Sequence, residues 1–168
     1  MVIVAVICII AIAFGSFRYV SKQEERFLDR LEQTPVEEFI FLTSEGDSLQ
    51  IQPERTTIIL FWATWAERSL GSLYDLYQWH DNYPQYDVIA AFVKDAPEFA
   101  RAHDRDGQDR FRMLDGTTAY QDLRVPGVPT TLVLNARGEV SMTGVGAQNI
   151  PVWHELSTRK QLQSGSEH

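Results

Sequence analysis

Cysteine is nearly absent from this chain of 168 residues. The one present, Cys8, lies in an apolar N-terminal run, so no internal disulfide can form. The same shortage rules out a Cys-x-x-Cys pair and a cysteine zinc site, and it leaves the redox compartment undetermined. Basic clusters are missing too. The net charge is −8, and no run of Lys and Arg offers the positive patch that phosphate backbones require, so nucleic acid is not an expected partner. His80, His103, His154 and His168 stand at no metal-ligand spacing. "HDRDGQD" at 103–109 carries Asp104, Asp106 and Asp109, but the later glutamate of a calcium loop is lacking and arginines interrupt the acids. It reads as a solvated charged loop. No metal or cofactor is expected, and there are no repeats or low-complexity stretches.

Apolar residues make up 44% of the chain, enough for the core of one domain of ordinary size. Residues 1–35 hold four basic and four acidic side chains, and 36–168 hold eleven and nineteen, so the whole excess falls on the globular part. Its simplest role is solubility. The N-terminus, "MVIVAVICIIAIAFGSF", is apolar apart from Gly15 and Ser16. As a helix, residues 1–20 approach the roughly 30 Å of a bilayer's hydrocarbon core. They are predicted to be a single-pass anchor in the lipid bilayer, with Arg18 snorkelling and Phe17 and Tyr19 at the interface. Two other readings exist. "AIA" at 11–13 resembles a signal-peptide cleavage site, although no Lys or Arg precedes the apolar run, and a buried helix of a soluble protein has a similar composition.

Residues 21–35 are predicted to be a helical stalk, with Val20, Phe27, Leu28 and Leu31 at helical spacing and Thr34-Pro35 as its end. "EEFIFLTSEGDSLQIQ" alternates about a turn and reads as a β-hairpin. "TTIILFWATW" has the continuous apolar, β-branched character of a strand buried on both faces. Residues 69–81 place Leu70, Leu73, Tyr74, Tyr77 and His80 at helical spacing. "YDVIAAFVKD" is a second buried strand, and Pro97 opens a helix in "PEFARAHD". A short strand at "FRMLD", a two-turn helix in "TTAYQDLRV", a hairpin about Asn135 to Gly138 and a closing helix from Ile150 to Gln161 complete the chain. Residues 162–168 are predicted to be a flexible tail. This order implies a mixed sheet with helices on both faces.

Three stretches carry a family resemblance: "LFWATW" at 60–65, "GVPTTLVLNARGEV" at 127–140, and "FIFLTSEGDSLQI" at 39–51. Over roughly 37–160 the chain resembles the membrane-anchored thioredoxin-like proteins of the TlpA/ResA group. The resemblance implies a thioredoxin-like α/β fold over 36–161, with an N-terminal β-hairpin and Pro129 at the cis-proline position. It also implies an extracytoplasmic domain. The charge rule opposes this, because Arg18, Lys22, Arg26 and Arg30 all follow the apolar run. With so short an N-terminal flank the asymmetry carries little weight. The expectation is a cytoplasmic N-terminus, with 36–168 on the periplasmic side of the inner membrane or its equivalent.

The activity of that family does not carry over. Its two cysteines fall at Ala66 and Ser69, and a dithiol enzyme needs one thiolate to attack and a second thiol to resolve. A serine hydroxyl does neither. Glu67 reads as a first-turn carboxylate favoured by the helix dipole. Arg68 opposes that dipole and is free to meet a partner's carboxylate, and Ser69 reads as a cap or first-turn residue. Trp62 is assigned to the core and Trp65 to the strand exit. The expected function is binding, as an accessory or assembly subunit of a membrane protein complex. The contact surface is Trp65 and Arg68 with Gly127, Val128, Pro129 and Thr130. The alternative is a redox role in which another chain supplies the cysteine.

Overall fold

The computed structural model describes residues 22–43, 45–51, 53–104, 111–148 and 150–164. Seven strands form one mixed sheet: β1 (Ile40–Leu42), β2 (Ser48–Gln50), β3 (Thr57–Trp62), β4 (Asp87–Phe92), β5 (Arg112–Asp115), β6 (Thr130–Leu134) and β7 (Val140–Val145), in the spatial order β2-β1-β5-β4-β3-β6-β7. The strands β3, β4 and β5 pair in parallel, β6 pairs antiparallel with both β3 and β7, and β1 pairs antiparallel with both β2 and β5. The helices are α1 (22–33), α2 (Glu67–Asn82), α3 (Pro97–Arg101), α4 (Thr117–Asp122) and α5 (Val152–Ser164), with a 3-10 turn at Val36–Glu38.

The central strand shows why the sheet is covered on both sides. Every residue of β3 is buried. Successive side chains of a strand point to opposite faces, so Ile59 and Phe61 join one core with Phe41, Ile89, Ala91 and Leu132. Ile58, Leu60 and Trp62 join another with Leu73, Leu76, Tyr77, Val88 and Trp153. The first core is roofed by α1 and α4, the second by α2 and α5.

The segment expected to be a stalk is helical and ends before Thr34-Pro35. It also packs: Phe27 and Leu31 are buried in the first core with Phe39, Phe41 and Leu123. Two apolar side chains one turn apart have enough area to dock a helix whose other faces are charged, so the globular unit begins before residue 36. The burial of α2 is rotated from the expected face. Ser69, Leu73, Leu76, Tyr77 and Trp79 are buried, whereas Tyr74 lies at the rim with its hydroxyl 2.6 Å from His103 Nδ1. At the other end of the chain, α5 runs to Ser164 and includes the first residues assigned to the tail. Gly138 takes the left-handed conformation its turn requires, at φ +80°. Among the described residues no helix is long and apolar enough to cross a membrane. The predicted anchor, 1–20, and residues 105–110 of the charged loop, with Asp106 and Asp109, lie outside them.

Candidate functional site

Strand β3 ends at Trp62, and the chain turns through Ala63 to Ala66 before α2 begins at Glu67. Two devices hold this turn. Thr64 donates its N–H (2.7 Å) and its hydroxyl (2.6 Å) to Asp95 Oδ2, in the loop after β4. Ser69, on the first turn of α2 and fully buried, accepts the N–H of Ala63 at 3.0 Å through its Oγ. The amide of Ser69 in turn donates to the Ala66 carbonyl at 2.8 Å. Ala66 occupies the N-cap position and supplies no side-chain cap. Ser69 is therefore a structural acceptor tying the strand exit to the helix start. Glu67 and Arg68 are exposed beside it.

Register places the second half of the site. Phe61 is paired with Thr130, so the start of β6 lies beside the end of β3, and the 127–129 loop adjoins the 63–69 turn. The Val128-Pro129 peptide is cis, in agreement with the family loop. Pro129 is buried and its carbonyl accepts from the Gly146 amide at 2.8 Å. Thr130, expected to contact a partner, is fully buried. Its hydroxyl donates to the Gly127 carbonyl at 2.8 Å and its backbone lies between β3 and β7. It shapes the loop from inside and offers no surface. Val128 is half-buried, and neither its N–H nor its C=O has a partner among the described residues. A Cβ on Gly127 would meet nothing within 4 Å, so the fold itself does not demand glycine there.

Trp62 is buried with its ring edge-on to His103, as assigned, and Trp65 is 63% exposed. Two residues that sequence reasoning missed join Trp65: Phe99 on α3 at 61% and Ile150 at 67% exposure. These are the most exposed large apolar side chains among the described residues, and all three follow the ends of β3, β4 and β7 at one end of the sheet. Nothing in the spacing of Phe99 or Ile150 announces this, because only the strand directions bring their segments together. Asp95 was likewise invisible, as its partner Thr64 belongs to a different loop.

This sheet order, with a helix springing from the central strand and a cis-proline loop beside it, defines a thioredoxin-like α/β fold. No family model and no curated protein matches the chain. Solved structures of low identity share the fold. A secreted Mycobacterium tuberculosis disulfide oxidoreductase homologous to E. coli DsbE is 16% identical, covering 78% of this chain and 96% of its own, with a TM-score of 0.59. The same bacterium's DsbF is 18% identical, covering 73% and 92%, with a TM-score of 0.58. A thioredoxin-like protein from Aeropyrum pernix is 17% identical, covering 85% and 96%, with a TM-score of 0.59.

Proposed function

We propose that this chain is a membrane-tethered, redox-inactive thioredoxin-like domain that works by binding, as an accessory or assembly subunit of a membrane protein complex. Residues 1–20 are the bilayer anchor, and the globular domain lies on the extracytoplasmic side of the inner membrane. The secreted protein among the similar structures supports that side. One observation carries the reading: the turn holds no thiol and is bordered by an exposed apolar surface. Ala66 has no reactive atom, and the Ser69 hydroxyl is buried in a backbone bond. Around them Trp65, Phe99 and Ile150 remain exposed and Val128 keeps a free N–H and C=O. An extended partner segment pairs with that edge as with a strand, and exposed aromatics supply the apolar anchors. Tethering raises the effective concentration of both partners at the membrane.

The test has two parts. In insulin reduction with dithiothreitol, the purified chain is expected to match the no-protein control, and a rate well above it overturns the binding reading in favour of redox work. Complexes are then isolated in mild detergent from cells carrying Trp65→Ala or Gly127→Val. Each variant is expected to fold normally and to lose the membrane proteins that accompany the unaltered chain. Retention of those proteins by both variants rejects this surface. Protease added to intact spheroplasts is expected to remove the globular domain, and full protection until lysis reverses the sidedness.

A further inference from the structure

On the face of the sheet opposite α2, a cavity of about 250 Å³ opens between α1 and the end of α4, lined by Gln23, Arg26, Tyr120, Gln121, Arg124 and Val125. Its polar side chains all carry N–H or O–H donors, and no acid is among them, in a chain of net charge −8. The guanidinium groups of Arg26 and Arg124 have no hydrogen bond or ion pair among the described residues, and the Tyr120 hydroxyl has no partner either. Burial pushes the Tyr120 phenol up from its ordinary value, so it stays a donor. Lys94 Nζ lies 5.6 Å from the Tyr120 ring centroid and adds a third positive charge. The walls are held together, because Arg30 donates to the Asp122 carbonyl at 3.1 Å and pins α1 to the end of α4.

The charges of α1 are sorted about its axis. At about 100° per residue, Lys22, Arg26 and Arg30 fall on the flank facing α4. Leu28 and Glu32 fall on the opposite flank, where they line a separate groove against β7. The core-facing Phe27 and Leu31 run between. This cationic flank begins where the apolar segment stops. Val20 to Lys22 spans at most about 7 Å even when fully extended, and Lys22 to Arg26 adds about 6 Å along the helix. Arg26 is therefore within about 13 Å of the end of the apolar run. The headgroup layer of a bilayer is about 5–8 Å deep on each side of the hydrocarbon, so Arg26 stands no more than about 8 Å beyond its outer edge.

We propose that the cleft between α1 and α4 binds the phosphodiester headgroup of an anionic phospholipid, with Arg26 and Arg124 on the phosphate and Tyr120, Gln23 and Gln121 donating to its oxygens and hydroxyls. The proposal rests on residues 1–20 being a bilayer anchor, and it fixes how the domain stands on the membrane.

The full chain in neutral-detergent micelles, labelled with ¹⁵N-arginine, is titrated with short-chain phosphatidylglycerol, short-chain phosphatidylcholine or inorganic phosphate. Phosphatidylglycerol is expected to shift the Arg26 and Arg124 side-chain resonances saturably, with phosphatidylcholine at least tenfold weaker. The Arg26→Gln/Arg124→Gln variant is expected to lose about 30-fold in affinity, at about 1 kcal/mol for each basic side chain near an anionic surface, with an unchanged thermal midpoint. Absence of a saturable shift overturns the site, and inorganic phosphate binding as tightly as the lipid overturns the lipid assignment. Flotation of the full chain with purely zwitterionic vesicles tests the anchor separately. Failure to float, with phosphatidylglycerol still bound, overturns the anchor and upholds the cleft's headgroup specificity.

Discussion

Replacing Ser69 by alanine tests whether its hydroxyl is a structural bond. The Ser69 Oγ is the acceptor for the Ala63 N–H at 3.0 Å, and both residues are fully buried. Alanine removes the acceptor and leaves that amide without water or protein to receive it. An unsatisfied buried donor costs about 1–3 kcal/mol. For a chain of this length each kcal/mol moves the thermal midpoint by about 2–4 °C, so Ser69→Ala is expected to melt roughly 2–12 °C lower. Cysteine at the same position offers only a weak sulfur acceptor and is expected to fall between. Arg68→Ala, one residue earlier and exposed, is the control, expected within about 0.5 kcal/mol of the unaltered chain. The assay is chemical and thermal unfolding followed by tryptophan fluorescence and circular dichroism. A Ser69→Ala midpoint that coincides with the Arg68→Ala control would refute the argument, because it would mean the Ala63 amide finds water and the serine has no structural role.

Three further outcomes are expected. Ala66→Cys with Ser69→Cys is expected to form a disulfide under mild oxidant, since the two positions flank the first turn of α2 at the family spacing. Two thiols still free by thiol titration would show that the backbone has left that geometry. Gly116→Ala is expected to destabilise by about 1–3 kcal/mol, because a Cβ there would stand 2.7 Å from the Ala91 Cβ and 3.3 Å from the Phe61 ring, and an unchanged urea midpoint would contradict this. Burial raises the Tyr120 phenol above its ordinary pKa of 10.0. The folded state thus holds its proton longer than the unfolded chain, and stability that is complete below that ordinary value declines as pH rises through the shifted one. The urea midpoint is expected to drop on alkaline titration and to drop less in Tyr120→Phe.

Much of this protein was determined by local sequence. The five consecutive apolar residues of β3, Ile58 to Trp62, admit only a strand covered on both faces, because successive side chains point to opposite sides and both sets are apolar. Pro97 at a helix start, Gly138 in a left-handed turn and the absence of cysteine at Ala66 and Ser69 were equally legible, since each depends on one residue's own chemistry. What only the tertiary structure decided depends on contacts between distant segments. Phe27 and Leu31 read as a stalk until Phe39, Phe41 and Leu123 buried them. Thr130 read as a contact residue until β3 and β7 closed on either side of it. Asp95 gained its role from Thr64, and Phe99 and Ile150 gained theirs from strand directions that carry three separate chain segments to one end of the sheet. A side chain's type fixes what it can do, but whether water, core or a neighbouring loop receives it is set by the packing of the whole chain.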